Sequence, residues 1–317
     1  MESLFHGTLS VRQDDGWLTP LRFTEKQLES YAINEPLRIR SMAPAGIRLA
    51  FHSSAKTLSL SYRIKGRART WAAFDILEDG EFMDSVLVWE DEGSIEIPLS
   101  GDEAVKTEIY LPHLVEVSIK DVRGDAPLRP APKPDTFWLC LGDSITQGMD
   151  AVHPSVTYPA RVARALGLDV LNAGVGGGVF RAENLEYIGR EPDVITIALG
   201  CNDWGHSKDK AEFTENIRSY LQKLDGLYAC RNVYGIVPIW RSDADTVRSG
   251  MTFDEMRALI RKEYEKYPYI TILNGTDLVP PNTCFYGDAG ELKAHPNAEG
   301  FWQYARNLQK ALHIGQN

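Results

Sequence analysis

The sequence predicts an α/β protein: a doubly wound parallel sheet of five strands, preceded by an all-β, jelly-roll-like sandwich. Three observations predict it. Residues 136–313 alternate short apolar runs with segments of helical periodicity, the pattern of a parallel sheet covered on both faces. Residues 1–124 instead carry short stretches of period-two alternation separated by turn signals. Between them, residues 125–135 hold four prolines, which lack a backbone donor and favour extended chain. The expected organisation is therefore a sandwich domain over 1–124, a semi-rigid linker over 125–135 and a second domain over 136–317.

In the first part, 46–51, 57–62, 94–99 and 115–120 alternate apolar and polar residues, and 71–77 and 86–89 add two strand candidates. Asp79-Gly80 and Glu92-Gly93 mark turns between them. Regular short strands of this kind make sandwiches. In the second part, strands are expected at 136–141, 170–172, 194–199, 233–239 and 270–273, with helices over 213–227, 253–267 and 298–313. The last helix places Phe301, Tyr304, Ala305, Leu308 and Leu312 on one face.

The 317 residues suffice for two cores, and 43% hydrophobic with 25% charged residues is ordinary globular composition. A net charge of −10 argues against nucleic acid or an anionic membrane as the main partner, and association with a second copy stays open. No basic segment followed by an apolar core opens the chain, which gives a cytoplasmic expectation, or a secreted one if a leader has been removed. Cys140, Cys201, Cys230 and Cys284 show no metal or redox spacing and are expected to be buried free thiols. No metal and no cofactor is expected.

The chemistry concentrates where the strands end. Ser144, in Gly142-Asp143-Ser144, follows the first strand of the second domain. Gly174-Val175-Gly176-Gly177-Gly178 follows the second, and Gly200-Cys201-Asn202-Asp203 the third. A doubly wound sheet brings all three to its carboxyl edge, where ligands bind. Ala294-His295-Pro296-Asn297 precedes the last helix. A serine, a histidine, glycine amides and an asparagine amide are the parts that acyl transfer needs. A dinucleotide loop is disfavoured, because Val179 stands where the third glycine belongs. The Gly-x-Ser-x-Gly elbow is absent, because Thr146 occupies the second glycine's place.

These four blocks resemble the SGNH hydrolases of the GDSL superfamily, with isoleucine for leucine after Asp143-Ser144. The resemblance covers about 136–313 and implies a flavodoxin-like sheet. It further implies Ser144 as nucleophile, His295 as base, and an oxyanion hole from the Ser144 and Gly177 amides with the Asn202 side chain. The family's aspartate, three residues before the histidine, is absent: Leu292 stands there. Glu291 is the first candidate for orienting the imidazole and Asp288 the second; a Ser–His dyad oriented by a backbone carbonyl is the third. Trp204, Trp240 and Arg241 are candidate substrate contacts, with His153 and Tyr158 behind them, and Asp143 reads as structural.

A sandwich joined to such a domain resembles two-domain carbohydrate acetyl esterases that include carbohydrate esterase family two. The implied function is serine-esterase removal of small acyl groups, O-acetyl above all, from a small-molecule or oligosaccharide ester. Alternatives are a lysophospholipase or thioesterase of the same fold, or a non-catalytic carbohydrate-binding protein on a degenerate scaffold.

Overall fold

The computed structural model describes residues 1–230, 232–287 and 293–314. Its second part is built on five parallel strands: β1 (Phe137–Gly142), β2 (Asp169–Gly174), β3 (Val194–Ala198), β4 (Val233–Val237) and β5 (Ile270–Asn274). Their order is β2-β1-β3-β4-β5. Strand order therefore reverses at β1, and a crevice opens beyond its carboxyl end. Register along β1 is continuous with β2, from Phe137 opposite Asp169 to Gly142 opposite Gly174.

Period two along β1 sends its side chains into two different layers. Phe137, Leu139 and Leu141 pack with Phe213, Ile217, Leu221 and Ile260 from the helices Lys210–Leu227 and Phe253–Tyr264. Trp138 and Cys140 pack with Val162, Phe301, Tyr304 and Leu308 from the helices Tyr158–Leu166 and Ala298–Ala311. Every residue of β1 and β2 is buried, as the apolar runs in the sequence require.

The first part forms two antiparallel sheets facing each other. One contains Phe5–His6, Arg48–His52, Lys106–Tyr110, Ala72–Glu78 and Glu81–Val88; the other Ser10–Asp14, Trp17–Leu21, Val115–Gly124, Thr57–Arg67 and Glu92–Pro98. Leu49, Phe51, Leu58, Phe74, Ile97, Ile109, Val117 and Ile119 fill the space between them. The proline-rich segment is not a free spacer. Arg129–Pro130 adds a short strand beside Arg48–His52, and Ala131 N–H donates to the Ala50 carbonyl at 3.0 Å.

The all-β expectation for 1–124 needs correction, because two helices interrupt it: α1 (Glu25–Tyr31) and α2 (Glu35–Met42). Thr24 and Gln27 form a capping box on α1, and Asn34 caps α2. Leu28, Tyr31 and Met42 are buried in the core of the α/β part, not in the sandwich. Through α1 and α2 the first part thus contributes to the core of the second.

Arg22 fixes this seam. Fully buried, it donates from Nη1 to the carbonyls of Asn172 (2.6 Å) and Gly174 (2.7 Å) at the end of β2. It also donates from Nε to Ala43 (2.7 Å) and from Nη2 to Arg40 (2.8 Å) at the end of α2. Burial lowers its pKa to about 9, so the cation survives at neutral pH on carbonyl dipoles. Arg22→Met removes four hydrogen bonds across this seam and is expected to cost about 2–4 kcal/mol in urea unfolding. A loss under about 0.5 kcal/mol, the size of a typical surface change, would contradict this role.

Candidate active site

β1 ends at Gly142, where an added Cβ would collide with the Thr146 side chain, so this close approach requires glycine. Asp143 then caps the one-turn helix Ser144–Gln147, its carboxylate accepting from the Ile145 N–H at 3.0 Å. Ser144 is left at the helix start, half-buried.

His295 arrives from the other end of the chain. Its carbonyl accepts from Gly287 N–H at 2.8 Å, the next residue bridges to Tyr286, and Asn297 caps the helix Ala298–Ala311. The imidazole is thereby held with Nε2 at 2.9 Å from Ser144 Oγ. Its Nδ1 lies 2.7 Å from Asp150 Oδ2. Asp150 adopts a left-handed backbone (φ 68°), which aspartate tolerates better than most residues.

Asp150 was not among the acids expected from the sequence. Glu291 and Asp288 lie outside the described residues. A neutral imidazole has one N–H to give, and at Nδ1 the described partner is Asp150. No local sequence signal marks Asp150: it stands six positions after Ser144, 145 before His295, and is selected only by the fold.

The other oxygen of Asp150 meets the sandwich. Arg69, in the loop between Thr57–Arg67 and Ala72–Glu78, donates to Asp150 Oδ1 from Nε (2.9 Å) and Nη2 (2.6 Å). Burial works against charge on Asp150, but the hydrogen bonds and charges of His295 and Arg69 outweigh it and hold the pKa down at about 2. The carboxylate is therefore ionised across the whole physiological range.

The glycine loop after β2 lies against this turn. Gly177 has φ +85°, a left-handed conformation suited to glycine, and is half-buried. The would-be Cβ of Gly178 faces the Gly142 carbonyl at 3.2 Å and Asp143 Cα at 3.6 Å. Asn202 Nδ2 donates to the Gly178 carbonyl at 2.9 Å, tying the loop after β3 to the loop after β2. Asn202 makes no side-chain cap to the helix Asp203–His206, so helix capping does not explain it. One amide hydrogen remains beyond the bond to Gly178.

Two buried carboxyls lie beneath. Burial pushes Asp143 up to about 6 and Asp203 up to about 7. Asp203 Oδ1 accepts from Phe180 N–H at 2.9 Å, while its Oδ2 is buried without a partner among the described residues.

The expected substrate contacts fare unevenly. Trp204 is fully buried, with Nε1 donating to the Met251 carbonyl at 2.8 Å and its ring edge-on to Phe253. It is a core residue and lines no cleft. Arg241 is also buried, paired with Asp243 and lying over the Trp204 ring. Trp240 remains half-buried, edge-on to Tyr286, which bridges to Pro296 beside the histidine. Tyr158 is buried against Thr146 (2.8 Å), and His153 Nδ1 is 3.0 Å from Asp75 on the sandwich. Among the cysteines, Cys140 is buried, but Cys284 is exposed, contrary to expectation.

A serine at the end of the first strand of a β2-β1-β3-β4-β5 sheet, bonded to a histidine before the last helix, defines a class of acyl-transferring hydrolases. Residues 140–302 match the GDSL-like lipase/acylhydrolase family, and the chain belongs to it. No curated protein sequence matches the chain. Among solved structures it is similar to the salicylyl-acyltransferase SsfX3 from a tetracycline biosynthetic pathway, with TM-score 0.81 and 21% identity over 99% of this chain and 96% of that one. It is similar also to a family two carbohydrate esterase from Clostridium thermocellum in complex with cellohexaose (TM-score 0.62, 16% identity, 84% and 90% covered). An acetyl xylan esterase from the rumen bacterium Butyrivibrio proteoclasticus follows (TM-score 0.60, 14% identity, 84% and 88% covered). At these identities the likeness concerns the fold.

The geometry makes Asp150 measurable in two ways. Asp150→Asn is expected to lower kcat for an activated ester by about 10³-fold or more, through the wrong imidazole tautomer. Retention of near-wild-type kcat would remove Asp150 from the site. Because the folded pKa lies below the ordinary 3.8, the group stabilises the fold above that value and loses the contribution as pH falls through about 2. Acid unfolding of the wild type, but not of Asp150→Asn, should carry this loss.

Proposed function

We propose that this chain is a serine esterase that removes small acyl groups, O-acetyl groups in particular, from carbohydrate esters through an acyl-enzyme. The observation that carries the reading is the hydrogen-bonded chain Ser144 Oγ–His295 Nε2 (2.9 Å) and His295 Nδ1–Asp150 (2.7 Å) at the crevice of the sheet.

With its proton on Nδ1 and given to Asp150, the imidazole presents a lone pair at Nε2 to the Ser144 hydroxyl. Ser144 Oγ attacks the ester carbonyl carbon as its proton passes to Nε2. The carbonyl π pair moves to oxygen, where the N–H groups of Ser144 and Gly177 and the free amide hydrogen of Asn202 receive it. Collapse breaks the bond to the sugar oxygen, which leaves with the proton from Nε2. Water repeats the sequence on the acyl-serine, releasing the acid and restoring Ser144. Asp150, ionised throughout, stabilises the imidazolium without taking its proton.

The carbohydrate part of the reading is supported by the fold likeness to carbohydrate esterases and by Trp240, whose half-buried indole near the His295 segment suits a sugar face. Small acyl groups are favoured because the sequence offers no long apolar lid segment. A second reading, transfer of the acyl group to an alcohol instead of water, is favoured by the near-complete overlap with the salicylyl-acyltransferase. It shares every step up to the acyl-enzyme.

Labelling with a fluorophosphonate is expected to modify Ser144. p-Nitrophenyl acetate should be cleaved faster than the octanoate, and acetylated xylan or mannan oligosaccharides should lose mass as acetate. Unlabelled Ser144 would support a binding protein, and faster octanoate cleavage would support a lipase. Acetyl transfer to added sugar in preference to water would support the second reading.

A further inference from the structure

The Gly176 carbonyl and the Gly177 N–H belong to one peptide unit. That unit is planar and trans, so its oxygen and its hydrogen point in opposite directions. Whatever grips the carbonyl therefore aims the N–H. The grip comes from outside the α/β part: Arg40, in the last turn of α2, donates from Nη1 to the Gly176 carbonyl at 3.1 Å. A Cβ placed on Gly177 would lie 3.3 Å from the same Nη1, so the guanidinium packs directly on this peptide.

Arg40 is itself held. Its carbonyl accepts from Arg22 Nη2 (2.8 Å) and from Gln147 Nε2 (3.0 Å). Gln147 Oε1 accepts from Gly176 N–H at 2.7 Å, which closes a ring from α2 through the serine turn to the glycine loop. The charge is also unusual. Arg69 nearby spends its cation on Asp150, whereas Arg40 is half-buried, has no carboxylate partner among the described residues, and leaves Nε buried without a partner. Burial and the charge of Arg69 lower its pKa, a cost that an acid partner would have removed. An acid there would also cancel the field that the cation casts along the peptide toward Gly177 N–H.

We propose that Arg40 is a positioning residue of the oxyanion hole: its unneutralised cation holds the Gly176 carbonyl, aims the Gly177 N–H at the acyl oxygen, and strengthens that donor as negative charge develops. The inference rests on the esterase reading of Ser144. It makes the helix inserted in the sandwich part a component of catalysis.

The test is steady-state hydrolysis of p-nitrophenyl acetate by wild type, Arg40→Met, Arg40→Lys and Ser144→Ala, with inhibition by phenylboronic acid as a tetrahedral mimic. Arg40→Met is expected to lower kcat by about 10–100-fold, below the 10²–10³ of a lost direct donor. KM should stay within about threefold, because the interaction strengthens only in the transition state. The boronate inhibition constant should rise in step with the loss of kcat, and Arg40→Lys should recover part of both. If Arg40→Met lacks a thermal unfolding transition, Arg40→Gln replaces it with the same expectation. An unchanged kcat, or a rise in KM alone, overturns the inference while an active wild type and inactive Ser144→Ala keep the esterase reading. A wild type without esterase activity, or an active Ser144→Ala, overturns both.

Discussion

The candidate active site depends on one carboxylate with two claimants. Asp150 gives one oxygen to His295 and the other to Arg69, and the two partners come from opposite parts of the molecule. Both partners favour its charge in this half-buried position and, against burial, hold its pKa down at about 2. Without the arginine, burial would raise the acid and loosen its hold on the imidazole.

The sandwich is therefore more than a neighbour of the α/β part. Among the described residues, Arg22, Arg40, Arg69 and His113 reach the loops of the candidate active site, each at a different point. Arg22 pins the end of β2 to α2, Arg40 grips the glycine loop, and Arg69 holds Asp150. His113, kept neutral by burial with its pKa near 4, donates from Nε2 to the Gly148 carbonyl at 3.0 Å. Three of the four contacts end on backbone carbonyls, so they fix main chain and leave the reacting side chains free to work. Such a scaffold suits chemistry whose rate depends on preorganised amides.

What the sequence disclosed, and what it hid, divide along the same line. The five strands were legible because each holds a short apolar run; the ends of β1, β2 and β3 locate Ser144, the Gly174–Gly178 run and the Gly200–Asp203 segment, within which the family resemblance selects Gly177 and Asn202. Asp150 was hidden because its role is set by residues 81 and 145 positions away. α1 and α2 were hidden because, at seven and eight residues, each shows two turns of a largely polar pattern, although Thr24-x-x-Gln27 and Asn34 announce their starts. Trp204 misled for a different reason: an aromatic just beyond a strand can turn toward the cleft or toward the core. Here the core has it, with Phe253 and Met251 as its partners.

A double-mutant cycle on kcat, using Arg69→Met, Asp150→Asn and their combination, tests the shared carboxylate most directly. If Arg69 acts through Asp150, its removal slows the wild-type background but changes the Asp150→Asn background by less than about twofold. Independent, multiplicative losses in the double variant would contradict the account, because the arginine would then be acting on something other than the acid.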